Sequence, residues 1–511
     1  MPTHGNGGPQ ATSGSCAEYD SANMQELYLG IDLGTSGVKA VATDRDDRVV
    51  AQATAALAVH RPRPHWSEQA PEDWWQATLR AVVTLPADVR RAVRAVGLTG
   101  QMHGAVLLDA ADRPLRPAIL WNDGRSAPQC AELERREPRA RQITGNLAMP
   151  GFTAPKLLWV REHEPELFAR TARVLLPKDY LRLRLTGERA SDMSDAAGTL
   201  WLDVARRDWS DAMLAATGLE RAHMPGLVEG TEPAGRIRPD VAAHLGLDSV
   251  IVAGGGGDNA ASAVGCGVVA PGDALLSLGT SGVLFVVTDR FRPNPEQAAH
   301  AFCHALPGLW HQMAVMLSAA SALDWAAPLT GCADVPAAAA AAERRGPRAD
   351  TPLFLPYLAG ERTPHNDAHA RGVFFRLSAD TTSADLVMAV LEGVAHGLCD
   401  GLDALAAAGG HIDDLSVVGG GARLPYWMRL LASALDRRLV LRAGGDVGAA
   451  LGAARLARIA SGEDARAVCL APPVQAVFEP EPSLAEWLHR RRPAYRGLYE
   501  RLQDSFKEFP P

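Results

Sequence analysis

The sequence predicts an α/β fold in two similar lobes, and two observations carry that prediction. First, the hexapeptide LGTSGV occurs twice, at residues 33–38 and 278–283, almost half the chain apart. Second, each copy sits between two β-type runs. Leu27-Tyr28-Leu29-Gly30-Ile31 leads into the first copy and a run through Val41 follows it. Ala274-Leu275-Leu276-Ser277 and Leu284-Phe285-Val286-Val287 flank the second. This is the pattern of two hairpins turned by Gly-Thr-Ser-Gly loops. One such loop alone reads most simply as a tight turn. A six-residue identity at matching places in two halves is hard to obtain from turn chemistry and points to a duplicated domain. Glycines admit backbone amides to phosphate oxygens, and hydroxyls add donors. Gly34, Thr35 and Ser36 in one lobe, and Gly279, Thr280 and Ser281 in the other, are therefore candidate phosphate-holding loops. The copies differ just before the loop, where Asp32 stands against Ser277. A carboxylate on one side only is what a single Mg²⁺ on a nucleotide calls for. The pattern reads as a two-lobed enzyme closing over ATP.

At 511 residues the chain exceeds what one core usually supports, so two domains plus decoration are expected. A net charge of −8 without a basic run argues against nucleic acid or an anionic membrane as the main partner. Seven scattered cysteines with no C-x-x-C pair fit a reducing cytoplasm. No apolar stretch is long enough to span a bilayer. Residues 1–23 are rich in Gly, Ser, Thr and Pro and read as a disordered leader, with Met24 a candidate functional start. The domain plan is then 24–265 for the first lobe, 266–490 for the second, and 491–511 as a tail.

Along the first lobe, residues 71–85 read as a helix, with Pro71 at its start and Glu72-Asp73 in its first turn. Ala95-Val96-Gly97-Leu98 reads as a buried strand running into Gln101-Met102-His103. Ligands bind beyond the carboxyl ends of such strands. Val250-Ile251-Val252-Ala253 is a second strand, emptying into four glycines, Asp258, Asn259 and a helix of small residues. The junction between lobes is placed at 265–272. In the second lobe the alanine run 337–342 reads as scaffold helix and 386–405 as a longer amphipathic helix. Leu415-Ser416-Val417-Val418 reads as a strand before Gly419-Gly420-Gly421-Ala422, with a helix over 425–435. The Pro- and Glu-rich, then Arg-rich, tail is expected to carry no catalytic part.

Three constellations carry chemistry. The glycine run 254–257 leaves main chain bare for a ligand, with Asp258 at its edge to accept a hydroxyl proton in phosphoryl transfer. Position alone balances that role against helix capping. Gly420, Gly421 and Ala422 would let a nucleoside lie against the loop, although in isolation an ordinary β–α turn is the preferred reading. Gln101-Met102-His103 and the Trp121–Arg125 stretch supply amide, imidazole, indole and guanidinium groups suited to a polyol. No G-x-x-x-x-G-K-[ST], Cys/His cluster or G-x-S-x-G is present, which excludes a Walker-type site and leaves zinc and serine hydrolases unsupported.

Together these residues resemble the FGGY family of carbohydrate kinases. The matching stretches include YLGIDLGTSGVKA, GQMHGAVLLD, RPAILWNDGRS, MPGFTAPKLLWV, SDMSDAAGTLWLDV, GGGGDNAA, LSLGTSGV, FLPYLAGERTPHN and VVGGGA, from Tyr28 to about Ala460. The resemblance implies two ribonuclease-H-like lobes, of the actin, hexokinase and Hsp70 ATPase superfamily, around a deep cleft. It implies ATP- and Mg²⁺-dependent transfer of the γ-phosphoryl group to the 5-hydroxyl of D-xylulose. By the same resemblance Asp258 is the general base, Asp32 acts near the Mg²⁺–phosphate group, and both carboxylates neighbour the metal. Met102, His103, Trp121 and Asn259 line the sugar, and Gly420, Gly421 and Ala422 border the adenosine. A homodimer is compatible with it. The chain departs from the family pattern in having four glycines before Asp258 where three are commoner. Two other readings stay open: a related kinase for ribulose, glycerol, gluconate or a deoxysugar, and a nucleotide-dependent switch of the actin or Hsp70 kind.

Overall fold

The structure, a computed structural model, describes residues 26–444 and 448–508; the expected leader over 1–23 lies outside the described residues. The first LGTSGV loop turns β1 (Leu27–Leu33) into β2 (Gly37–Thr43), which pair antiparallel, and β3 (Val49–Ala56) extends the meander. On the other side of β1 lies parallel β4 (Val93–Gly100), then β5 (Ile251–Ala253), also parallel. The second loop turns β6 (Ala274–Leu278) into β7 (Gly282–Thr288), with β8 (Trp310–Met316) antiparallel beyond. Parallel β9 (Asp414–Val418) and β10 (Arg438–Arg442) follow on the far side of β6. Both sheets thus share one order, a three-stranded meander with two parallel strands added. The duplication expected from the repeat is present in the topology.

Buried apolar faces explain why these runs form strands. Leu27, Leu29, Ile31 and Leu33 pack into the first core, and Leu276, Leu278, Leu284 and Val286 into the second. Parallel strands covered on both faces read as near-continuous apolar runs, as β4 and β5 do. Helix α1 (Pro71–Thr84) packs beside β2 and β3, close to the expected bounds. The long helix of the second lobe, α2 (Ser383–Ala407), opens with a capping box between Thr382 and Asp385.

Two expectations need correction. The alanine run lies in helix α3 (Val335–Arg345), but Ala339 and Ala340 wall a cavity of about 780 Å³ instead of serving only as scaffold. Small side chains leave the volume open there. The tail boundary at 490/491 falls inside one helix, α4 (Pro482–Glu508). Its arginines bind carboxylates of the long helix: Arg491 pairs with Glu392, and Arg492 and Arg496 with Asp400 and Asp403. Its buried Tyr495 meets the Tyr357 hydroxyl at 3.0 Å.

One helix joins the lobes. Helix α5 (Gly448–Ala460) belongs to the second half of the sequence but packs on β1 and β4 and on α6 (Asp258–Gly265). Glycines make the approach feasible. A methyl group on Gly30, Gly97 or Gly452 would overlap the carbonyl oxygen of Ala450, Ala453 or Ala261 respectively. Buried Arg455 then ties the helix to Asp47 at 2.8 Å and to the Val264 carbonyl at 2.8 Å.

Among the described residues no helix is long and apolar enough to cross a membrane.

Candidate active site

The equivalent positions ahead of the two loops meet across the gap between the lobes. Asp32 stands in register with Lys39 on β2 and Thr99 on β4, and Ser277 with Val283 and Val418. Asp32, Lys39, Ser277 and Gly419 line one cavity of about 230 Å³. Burial pushes the Asp32 carboxyl up to about 6, and the Lys39 charge opposes that shift.

Asp258 is the first residue of α6, with Gly257 as the cap, so it does not cap the helix itself. Its Oδ1 accepts from the Asn259 backbone N–H at 2.7 Å and the Asn259 side-chain amide at 2.9 Å. Burial first, and then the charge of Asp32, push its carboxyl up to about 7. A carboxyl balanced there can lose and regain a proton near neutrality.

The glycine run ahead of Asp258 is not bare main chain. All four glycines are buried, and side chains on three of them would overlap protein atoms: the Glu229 carbonyl for Gly254, the Leu98 carbonyl for Gly255, and the Met102 thioether for Gly257. Protein, not ligand, lies against this backbone. The fourth glycine is accommodated as a bulge. Val252 pairs with Val96 and Gly256 with Thr99, so the run holds one more residue than the strand opposite. Gly255 takes φ 78° there, a conformation glycine adopts freely.

A buried charged cluster pins this run, and sequence reasoning missed it. The Lys178 ammonium lies 2.6 Å from both Asp179 and Asp192 and 3.2 Å from Asp195. These three carboxylates are grouped closely enough to hold a cation, and the lysine is that cation. Arg182, one turn along, donates to the carbonyls of Ala253 and Gly254. The Ser194 hydroxyl donates to Asp192 and accepts from Gly257 N–H at 3.0 Å. The available signal was charge where none should lie: Lys178, Asp179 and Arg182 fall on a helix, Pro177–Thr186, buried nearly all round.

His103 sits in the left-handed region at φ 67°. Its Nδ1 is 2.7 Å from the Gly198 carbonyl, which can only accept, so Nδ1 carries the proton and Nε2 presents a lone pair. Burial pulls its pKa down to about 3, keeping the ring neutral. Lys156, fully buried, holds this turn by donating to the carbonyls of His103 at 2.8 Å and Gly151 at 2.6 Å. Met102 fills the space between Gly198 and Gly257. Trp121 is 44% exposed and donates its indole N–H to the Thr35 hydroxyl.

The rest of the polyol-suited stretch is structural. Arg125 is paired with Asp123 and Glu68 and lies 3.5 Å over the Trp66 ring, with the Trp159 ring 5.0 Å away and set edge-on to Trp66. The Gln101 amide is bonded to Thr35 and Gln69.

The 780 Å³ cavity brings together Gly279 and Thr280 of the second loop with Gly420 and Gly421 after β9. Val335, Pro336 and Tyr426 give it apolar walls, and Arg423, Glu343 and Arg429 a polar rim. Ala422 is turned into the core beside this wall. Gly34, Thr35 and Ser36 lie on the other side of the gap, with Ser36 exposed.

Burial pulls the Lys156 ammonium from its ordinary 10.5 down to about 7. Its contribution to stability is full above 10.5 and is lost as pH falls through about 7, because the unfolded chain binds the proton more tightly. Denaturant titrations at pH 6.5 and 9.5 should show stability rising with pH in the wild type. Lys156→Met should flatten that rise; an identical rise in the variant would exclude Lys156 as its source.

Comparison with known proteins places these features in context. The N-terminal domain model of the FGGY family of carbohydrate kinases matches residues 27–265, and its C-terminal domain model matches residues 274–461. A xylulose kinase of Escherichia coli (strain K12) is 56% identical over 479 residues, covering 93% of this chain and 99% of its own. One from Klebsiella pneumoniae is 54% identical over 480 residues, covering 93% and 99%. Among solved structures, a xyloylose kinase from Brucella ovis superposes with a TM-score of 0.90 at 51% identity, covering 94% of this chain and all of that one. A xylulose kinase from Rhodospirillum rubrum gives 0.88 at 30% identity, covering 94% and 100%.

Proposed function

The chain belongs to the FGGY family of carbohydrate kinases, and on that footing we propose that it phosphorylates D-xylulose at its 5-hydroxyl, giving D-xylulose 5-phosphate and ADP. The observation that carries this reading is the position of Asp258. Its half-buried carboxyl lies between the Met102–His103 turn and the gap that holds Asp32.

In this reading the sugar lies in the first lobe against Met102, Trp121 and Asn259, with a hydroxyl donating to the free Nε2 of His103. ATP lies across the gap. Its adenosine borders Gly420 and Gly421 with Ala422 behind them, and its phosphates meet the loops at Gly34–Ser36 and Gly279–Ser281. The Asp258 carboxylate takes the 5-hydroxyl proton as the 5-oxygen bonds to the γ-phosphorus. The bond from that phosphorus to its bridging oxygen breaks, and the electron pair leaves with ADP. Asn259 holds the carboxylate in place through both of its N–H groups.

Asp32 and Asp258, oxygen donors beside a phosphate gap, suit Mg²⁺, which takes one or two carboxylates together with substrate phosphates. The ion when bound would neutralise charge on the phosphates. Closure of the lobes would exclude water, which competes as acceptor.

The test is ADP release from Mg-ATP with no sugar, D-xylulose, D-ribulose, L-ribulose, glycerol and gluconate. A selective response to D-xylulose is expected. A tenfold preference for another acceptor would reassign the substrate. Turnover that no sugar stimulates would favour a nucleotide-dependent switch.

A further inference from the structure

The two Gly-Thr-Ser-Gly loops are identical in sequence but differ in what their threonines touch. Thr280 lines the 780 Å³ cavity. The Thr35 hydroxyl instead faces the first lobe, 3.0 Å from Gln101 Oε1 and 2.9 Å from the Trp121 indole nitrogen.

The direction of these bonds follows from their neighbours. Gln69 donates its amide N–H groups to the carbonyls of Thr35 at 2.8 Å and Ala58 at 3.0 Å, so its oxygen is the acceptor that Trp74 N–H meets at 2.8 Å. That same oxygen receives the Gln101 amide at 3.1 Å, which leaves Gln101 Oε1 facing Thr35 as an acceptor. The indole N–H can only donate. The single hydroxyl proton of Thr35 is therefore directed to Gln101. Gln101 immediately precedes Met102 and His103, and its own N–H binds the Leu33 carbonyl at the start of the loop at 2.8 Å.

We propose that Thr35 is a positioning residue that couples the two substrates: its hydroxyl joins the first phosphate loop to Gln101 and Trp121, so that a sugar seated on Trp121 and His103 fixes the loop in its phosphate-binding form. This rests on the kinase reading above. Coupling of this kind is reciprocal, each ligand tightening the other by the same factor.

The experiment is calorimetric titration of Mg-ADP with and without saturating D-xylulose. The wild type should bind Mg-ADP roughly tenfold more tightly with sugar present, within the usual range of such coupling. Thr35→Val keeps the side-chain shape but not the hydroxyl. Whatever its affinity for Mg-ADP alone, its sugar effect should fall below about twofold, and Thr35→Ser should restore it. Trp121→Phe, a change at a partly exposed ring that leaves the loop sequence intact, should cause the same loss, and the double variant no more. A Thr35→Val protein that binds Mg-ADP tenfold more weakly without sugar, with coupling retained, would make the hydroxyl a phosphate ligand and overturn the proposal. Wild-type behaviour in both Thr35→Val and Trp121→Phe would overturn it too. Sugar-stimulated turnover with coupling intact in the variants would sink this inference alone, whereas a wild type indifferent to every sugar would sink the kinase reading with it.

Discussion

Asp258→Asn is expected to lower kcat for D-xylulose by about two to four orders of magnitude, the usual contribution of a positioned general base. The amide keeps the shape of the carboxyl and can still face the Asn259 N–H groups, so helix α6 and the glycine bulge should persist. The circular dichroism spectrum should match that of the wild type. Activity within a few-fold of wild type would remove Asp258 from proton transfer. The same variant should be more resistant to heat in metal-free buffer at pH 8. Burial and the Asp32 charge raise the Asp258 carboxyl to about 7, so its contribution to stability is present at low pH and lost as pH rises through that value. Asparagine carries no charge at either end of this range. The melting temperatures of the two proteins should therefore converge as pH falls towards about 4, near the unfolded-state carboxyl pKa.

Gly97→Val is expected to abolish folding, or to destabilise by about 4 kcal/mol or more. Propensity argues the opposite, because valine favours strands over glycine and Gly97 lies mid-strand in β4. The packing decides. A Cβ on Gly97 would overlap the Ala453 carbonyl on α5, and backbone cannot rotate away as a side chain can. Gly226→Ala serves as the control, since its methyl would meet only the Arg189 carbonyl, at 3.7 Å. Soluble Gly97→Val protein melting within a few degrees of wild type would show that helix α5 yields readily.

The lobes and loops were legible because each rests on a local signal: alternating or continuous apolar runs for strands, and a repeated hexapeptide for the hairpins. The place of Asp258 at a helix start, after a strand and glycines, was legible too. The function of those glycines was not, because it depends on Glu229, Leu98 and Met102, which are distant in sequence. Arg125 looked like a polyol ligand in its pentapeptide, but Glu68 and Trp66, some sixty residues earlier, make it structural. Thr35 and Thr280 illustrate the limit most directly: one tetrapeptide, two environments. The Lys178 cluster hides for a related reason, since an ion pair on a helix reads as surface until every face of that helix is seen to be covered.

Helix α5 has a bearing on how the protein is made. Ribosomes deliver the chain from its amino end, and the first-lobe sheet is finished by residue 265, long before residues 448–460 are synthesised. Until then the slot over Gly30 and Gly97 lies open to whatever apolar chain is nearby. The first lobe is begun first and completed almost last, so a truncated product of translation would carry an exposed, backbone-lined groove that chaperones and proteases could both recognise.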